Sequence, residues 1–115
     1  MSNKGRAGES AAVVLLEEKG MQILERNFRS RMGEVDIIAL DGESIVFIEV
    51  KTWSAYGIDA LEQAINLKKQ RKIIETSKYF LSLHREYRYM AIRFDVIFVS
   101  SQGISHLASA FTECV

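Results

Sequence analysis

The stretch GEVDIIALDGESIVFIEVKT, which runs from Gly33 to Thr52, predicts two neighbouring β-strands. Two runs rich in valine and isoleucine, residues 33–40 and 44–52, flank a turn dipeptide at Asp41-Gly42. Both strands nevertheless contain charged residues, namely Glu34, Asp36, Glu49 and Lys51. Because an unpaired buried charge is costly, these charges either neutralise one another or bind a ligand.

The length of the turn decides where these charges point. A two-residue loop at Gly42-Glu43 sets Asp36 directly opposite Glu49, whereas a loop at Asp41-Gly42 makes the two acids diagonal neighbours. In both registers they share one face of the hairpin, because successive side chains of a strand alternate between faces. Directly opposed side chains have Cβ atoms about 5 Å apart, close enough for two carboxylates to bind one cation. A loop with an odd number of residues would move Glu49 to the other face.

The same alternation gives the hairpin one mixed face and one apolar face. The mixed face is polar at one end, with Glu34, Asp36, Glu49 and Lys51, and apolar at the other, with Ile38, Leu40, Ile45 and Phe47. The opposite face carries Val35, Ile37, Ala39, Val46, Ile48 and Val50. Both sides of the hairpin are therefore expected to be covered, with an acidic pocket at one end of one side.

The acidic pocket is typical of a site for a hard metal ion. Two adjacent carboxylates repel, and raise each other's pKa, unless a cation lies between them. Oxygen ligands without a nearby cysteine or histidine favour Mg²⁺ or Mn²⁺ over zinc. The residues leave one alternative open, an ion network of glutamate, lysine and aspartate that only fixes the strand register.

The remaining sequence supplies helices and further strands on either side of the hairpin. The patterns predict a helix at 9–19, a strand at 21–29, a long helix at 59–83 interrupted near Asn66, and strands at 90–100 and 104–107. Asp59 and Glu62 form a capping-box arrangement at the start of the long helix. The order αβββαβ, followed by the short last strand, predicts an α/β (α+β) fold in which helices flank a mixed central sheet of four to five strands.

Length and composition are those of one globular domain, residues 1–115. The chain is 48% apolar and 26% charged, and it contains neither an apolar run of membrane-spanning length nor the order of regions of a signal peptide. The single cysteine, Cys114, excludes an intrachain disulfide and a cysteine zinc cluster. A cytoplasmic protein with no membrane contact is therefore expected.

The net charge is zero, but the charges are unevenly distributed. Residues 32–65 contain seven acids and one base, whereas residues 66–93 contain eight bases and two acids. An acidic block beside a basic block favours a metal pocket next to a phosphate-binding surface. For the basic block, a solvated helix face that only keeps the protein soluble is the alternative.

The spacing of the charged residues also resembles a known signature. Asp36, a gap of twelve residues and then Glu49-Val50-Lys51 resemble the D…E-x-K signature of the PD-(D/E)XK nuclease superfamily. The surrounding segments are GRAGESAA (5–12), ERNFRSRMGEVDIIALDG (25–42), FIEVKT (47–52) and RFDVIFV (93–99). Together they are similar to the YraN-like family of predicted endonucleases, which is related in fold to archaeal Holliday-junction resolvases.

The resemblance implies a restriction-endonuclease-like fold and a set of site residues. Asp36 and Glu49 match the two carboxylates that hold Mg²⁺ or Mn²⁺, and the main-chain carbonyl of Val50 would complete the ligand set. Glu9 matches a glutamate that faces the metal from the first helix. Lys51 matches the lysine that positions or deprotonates the attacking water. The implied catalytic residues are thus Glu9, Asp36, Glu49 and Lys51.

Several other polar residues keep more than one interpretation. Trp53 stands where the family commonly has arginine, and it either stacks on an unpaired base or packs at the strand end. Glu34 is either an extra ligand or the ion-pair partner of Lys51 or of an arginine. Gln63 and Gln70 lie on the helical stretch where related nucleases offer a polar residue to the site.

Four residues are expected to be structural. Asp95 and Arg93 are expected to form a buried pair that holds the sheet to a helix. His84 and His106 are expected at the surface or in packing contacts, since the proposed chemistry requires no histidine.

These residues favour an endonuclease that hydrolyses phosphodiester bonds in DNA, with selectivity for branched or flapped structures. A nucleic-acid-binding protein without catalysis is the alternative, and a protein-interaction adaptor on the same scaffold is a third. The sequence leaves the choice between a monomer and a homodimer open.

Overall fold

The protein folds into a five-stranded mixed sheet that carries helices on both faces. The computed structural model describes residues 3–53 and 65–113. The elements are α1 (Asn3–Glu18), β1 (Gln22–Arg29), β2 (Glu34–Asp41), β3 (Ser44–Trp53), α2 (Leu67–Leu83), a 3₁₀ turn (Arg85–Tyr87), β4 (Ala91–Ser100) and β5 (Gly103–Phe111). The predicted α+β class and the order of its elements are confirmed.

The strands lie in the order β1-β2-β3-β4-β5. β3 and β4 run parallel, whereas the other neighbouring pairs are antiparallel. A parallel pair requires a long crossover connection, and α2 lies in the connection between β3 and β4. β3 is consequently the middle strand, paired on both sides, and it carries Glu49 and Lys51.

The turn between β2 and β3 settles the register that the sequence leaves open. Asp41 pairs with Ser44, so the two-residue loop is Gly42-Glu43. Gly42 has a φ of +60°, a left-handed conformation that glycine adopts without the steric cost of a Cβ atom. Continued along the strands, this register sets Asp36 opposite Glu49.

Alternate residues of β2 and β3 pack against different helices. Ile37 and Ile48 lie in a buried cluster with Ala12 and Leu16 of α1. A second buried cluster joins Ile38, Ile45 and Phe47 of the hairpin to Ile73, Ile74 and Phe80 of α2. Val35 is an exception. Alternation predicts that it packs against α1 like Ile37, but its side chain packs in the cluster with α2. The prediction that both sides of the hairpin are covered is confirmed.

α1 and β5 are both longer than the sequence predicts. α1 begins at Asn3 rather than at residue 9, although its first turns contain glycines, which are poor helix formers. A Cβ atom on Gly8 would lie 2.7 Å from Oγ1 of Thr52, so the glycine lets α1 approach β3 closely. β5 extends to Phe111, because its backbone pairs with β4 although most of its side chains are exposed.

α2 begins where the sequence predicts an interruption. Asn66 is its N-cap, and the Oδ1 atom of Asn66 accepts a 3.0 Å hydrogen bond from the backbone N–H of Lys69. The predicted earlier part of this helix, with Asp59 and Glu62, lies outside the described residues. Within residues 3–53 and 65–113, neither helix is long and apolar enough to cross a membrane.

Asp95 on β4 is fully buried and is surrounded by hydrogen-bond donors. Its carboxylate accepts bonds from Arg93 at 2.9 and 3.0 Å, from His106 Nε2 at 2.7 Å and from the backbone N–H of Ser109 at 3.0 Å. Burial opposes ionisation, but these donors outweigh it and hold the pKa of Asp95 below its ordinary value. The predicted pair with Arg93 is confirmed. Its further partners lie on β5, in place of the helix that the sequence predicts.

Both histidines are packed, as predicted. The side chain of His106 is 5% exposed and lies between Asp95 and Lys19, whose Nζ is 2.8 Å from Nδ1 of His106. His84 ends α2 and stacks on Phe80, with 4.1 Å between ring centroids.

Candidate active site

The paired ladder between β2 and β3 stops before either strand ends. Its last pair at this end is Ile37 with Ile48, although β2 reaches back to Glu34. At the next position Asp36 bonds with its side chain instead, because its Oδ2 accepts a 2.7 Å hydrogen bond from the backbone N–H of Val50. A side-chain contact thus replaces backbone pairing where the two strands carry their acids.

The carboxyl groups of Asp36 and Glu49 are in contact and share a hydrogen bond. Burial of Glu49, this hydrogen bond and the negative charge of Asp36 raise the pKa of Glu49 to about 9. Glu49 therefore carries a proton at neutral pH when no cation is bound. Through this proton it donates a hydrogen bond to Asp36. The structure brings together the two acids that the strand register predicts to be neighbours.

Two lysines approach the same pair of acids. Lys51 is half-buried on β3, and Lys69 lies in the first turn of α2. The hydrogen-bonding contact with Lys51, partial burial and the charge of Lys51 lower the pKa of Lys69, whereas Glu49 and Asp36 act in the opposite direction. The sequence predicts Lys51 at this site, and the helix adds Lys69.

Glu9 approaches the acids from α1. Burial and the negative charge of Asp36 raise the pKa of Glu9. The side-chain amide of Asn27 lies 2.7 Å from Oε1 of Glu9 and 3.1 Å from Oε1 of Glu34, and with its nitrogen facing them it donates to both. Glu34 also lies 3.5 Å from Nε of Arg29, in agreement with the arginine-pairing interpretation of this residue.

The other candidate residues make backbone or packing contacts where they are described. Val50 packs its side chain against the α1 cluster while its N–H binds Asp36. The Nε2 atom of Gln70 donates to the carbonyl oxygen of Ile65 at 3.1 Å. Gln63 and the side chain of Trp53 lie outside the described residues, so both interpretations of Trp53 stay predictions.

The donor atoms of the acidic pair suit a divalent cation. Among the residues that the structure describes, no three histidine, cysteine, aspartate or glutamate side chains are already gathered as a metal cluster. Asp36 and Glu49 nevertheless offer the hard oxygen ligands that Mg²⁺ and Mn²⁺ prefer. Because metal binding requires deprotonated ligands, a cation would replace the proton of Glu49. Glu9 is a third acid, close enough for the charge of Asp36 to affect its pKa.

Exposed bases lie on the β1–β2 turn and on the part of α2 that packs against it. The β1–β2 turn packs on α2, where Oγ of Ser30 lies 3.0 Å from Oγ1 of Thr76. A Cβ atom on Gly33 would lie 3.2 Å from Cβ of Lys72, which places the turn against the helix one turn beyond Lys69. The turn carries Arg31 and the first turns of α2 carry Lys68 and Lys72; all three bases are exposed, and we refer to them as the basic rim.

Two residues at the site are not identified from the sequence. Lys69 belongs to the basic block, but its place beside Lys51 depends on the start of α2. Asn66 was the available signal, because asparagine before a helical pattern is a typical N-cap. Asn27 gave no signal, since its contacts depend on a φ of +55° within β1.

Comparison with known proteins finds similarity along nearly the whole chain. A family model described as "Uncharacterised protein family UPF0102" matches residues 8–99, a range that contains Glu9, Asp36, Glu49, Lys51 and Lys69. The chain is 45% identical over 108 residues to a UPF0102 protein of Persephonella marina, which covers 94% of this chain and 92% of that protein. It is 44% identical over 128 residues to a UPF0102 protein of Treponema denticola, with 99% and 98% covered. A UPF0102 protein of Thermodesulfovibrio yellowstonii is 43% identical over 108 residues, with 93% and 94% covered.

Proposed function

The chain belongs to Uncharacterised protein family UPF0102, and we propose that it is a divalent-metal-dependent endonuclease that hydrolyses phosphodiester bonds in DNA. The YraN-like resemblance holds at the level of the family, whereas the PD-(D/E)XK mechanism is part of the proposal. We also propose the cytoplasm as its location, in line with the expectation from the sequence.

The observation that carries the proposal is the contact of two acids next to the contact of two lysines. Asp36 meets Glu49, and Lys51 meets Lys69. Without a cation Glu49 keeps a proton beside Asp36, and the two lysine side chains repel each other when both are charged, so each pair favours a ligand of opposite charge. A divalent cation bound to a phosphate group supplies a positive charge for the acids and a negative charge for the lysines. A structural ion network would instead alternate acids and bases.

In the proposed reaction the side chains have separate roles. A divalent cation, when bound, supplies a more acidic water and neutralises charge on the phosphate. Asp36 and Glu49 would hold that cation through their carboxylate oxygens, and Glu9 would add a third acid from α1. Lys51 binds a phosphate oxygen and orients the water, because an ammonium group is a compact charge with three donors. The oxygen of water forms a bond to phosphorus and the water gives up a proton, one P–O ester bond breaks, and the leaving oxygen takes a proton.

The basic rim favours a polyanion over a small phosphate ester. Arg31, Lys68 and Lys72 are exposed on the β1–β2 turn and the first turns of α2, where they can bind phosphates of a nucleic-acid backbone. Such contacts position a nucleic acid without reading its bases. Recognition by shape is in keeping with the branched and flapped DNA that the resemblance implies.

Cleavage of labelled DNA tests the proposal. With Mn²⁺ or Mg²⁺, the purified protein is expected to cut at least one of branched, flapped, nicked and single-stranded DNA. Glu49→Gln removes a cation ligand but keeps a side chain that can donate to Asp36, so it is expected to abolish cutting while the protein stays folded. Glu43→Gln, in the exposed β2–β3 turn, is the matched control and is expected to cut like the wild type.

Two results would contradict the proposal. Equal cutting by Glu49→Gln and by the wild type would identify a contaminating nuclease as its source. DNA binding without cutting, together with a failure to bind Mn²⁺, would favour the alternative of a nucleic-acid-binding protein without catalysis.

A further inference from the structure

We infer that Lys69 is a second phosphate-binding residue of this site, supplied by α2 and paired with Lys51. The role rests on the proposed function, and it adds a substrate contact that lies outside the D…E-x-K signature. It concerns the binding of a phosphate oxygen by an ammonium group and requires no proton transfer.

The fold fixes the backbone of Lys69, whereas its side chain is exposed. Its backbone N–H is bound by the N-cap Asn66, which sets the first turn of α2 against the site. Its side chain contacts that of Lys51, and its positive charge acts to lower the pKa of Glu49. Lys69 is an exposed residue, so burial does not force the two lysines together.

The charges of the site with a bound cation favour the binding of an anion. When a divalent cation lies between ionised Asp36 and Glu49, it cancels the charges of these two acids. The two lysines remain, and Glu9, when ionised, offsets one of them. A phosphodiester carries one negative charge and gains a second as the attacking water loses a proton. Lys69 adds a positive charge near that phosphate, which Lys51 alone does not supply.

Charge balance offers a different explanation for Lys69. In that case it would only offset the negative charge of Asp36 and Glu49, and it would never touch the substrate. Removing it would then strengthen Mn²⁺ binding, because a positive charge near the ligands is lost, and would leave DNA affinity unchanged. The two roles therefore differ in what happens to DNA.

Binding of a fluorescein-labelled four-way DNA junction, measured by fluorescence anisotropy with Ca²⁺ in place of Mn²⁺, separates them. Lys69→Met is expected to raise the Kd by about tenfold and to lower the salt dependence of log Kd by about one phosphate contact. Lys69→Arg is expected to stay within about threefold of the wild type, since it keeps the charge. Lys78→Met is the control from the far half of the same helix, where the lysine is exposed and pairs with Glu113.

The outcomes decide between the roles. A loss with Lys69→Met that is absent from Lys69→Arg and Lys78→Met supports phosphate binding. Equal affinity of Lys69→Met and the wild type overturns it, whether or not the Mn²⁺ affinity changes. Thermal unfolding of each variant confirms that the fold is retained. If the wild type binds the junction but does not cut it with Mn²⁺, the proposed endonuclease fails while the comparison of variants still decides the role of Lys69.

Discussion

Glu49→Gln is expected to stabilise the metal-free protein at neutral and alkaline pH, although it removes a candidate metal ligand. In the folded wild type, burial and the contact with Asp36 raise the pKa of Glu49 from 4.5 to about 9. In the unfolded chain the same carboxyl ionises near its ordinary pKa. Between these two values the folded protein binds one proton more than the unfolded chain, so its stability falls as the pH rises through that range.

The size of the effect follows from the two pKa values. The contribution of Glu49 is fully present below pH 4.5 and is lost as the pH rises to about 9. Each pH unit in between costs about 1.4 kcal/mol. At a pH about three units above the ordinary value, the upper limit of the loss is about 4 kcal/mol. Glutamine does not titrate, and its amide can donate to Asp36, so the variant avoids this loss.

Urea unfolding of both proteins in metal-free buffer, from about pH 5 to about pH 8, measures the difference. The free energy of unfolding of Glu49→Gln minus that of the wild type is expected to grow by up to about 1.4 kcal/mol per pH unit. Titrating groups that both proteins share and that lie far from Glu49 cancel in this difference. At the alkaline end, Mn²⁺ should stabilise the wild type and leave the variant unchanged. Parallel curves would show that folded Glu49 is ionised, and the close contact with Asp36 would then be wrong.

Two further substitutions test the framework around the site. Asp95→Asn is expected to lower the free energy of unfolding by about 3 kcal/mol, near the low end for breaking a buried pair, because Arg93 keeps a 2.8 Å bond to Asp41; an unchanged urea midpoint would contradict this. Gly8→Ala is expected to destabilise the protein by about 1–3 kcal/mol through overpacking against Thr52, and Thr52→Ala in the same chain should restore much of that loss. Thermal unfolding that shows no loss, or no rescue by the second substitution, would mean that α1 does not pack closely on β3.

The hairpin could be predicted because its signals are local in sequence. Alternation places Asp36 and Glu49 on one face, and the turn at Gly42 fixes the register within a few residues. The alternation of a strand depends on neighbouring residues alone, so it can be recognised from the local sequence. The same reason explains why the α+β class and the two central strands were predictable.

The rest of the site depends on contacts between distant segments. Lys69 meets Lys51 because the first turn of α2, capped by Asn66, lies near Lys51 of β3. Glu34 has three candidate partners in the sequence, and the pairing of β1 with β2 selects Arg29, which lies directly across the ladder. Such contacts between distant segments leave no periodic pattern in the sequence.

The edge of the sheet shows a further limit. β5 has few buried side chains, so apolar alternation indicates only its middle part. Its stability comes from backbone pairing with β4 and from the bonds of His106 and Ser109 to Asp95. The sequence indicated that Asp95 is buried with Arg93, but it could not reveal partners that lie more than ten residues away on an exposed strand.

Anomalous diffraction from crystals of the protein soaked in Mn²⁺ would locate the cation without relying on activity. A peak is expected between the carboxylates of Asp36 and Glu49, which should no longer share a hydrogen bond. Crystals of Glu49→Gln should lack this peak. If wild-type crystals show no Mn²⁺ there and the two acids remain in contact, this pair does not bind a divalent cation.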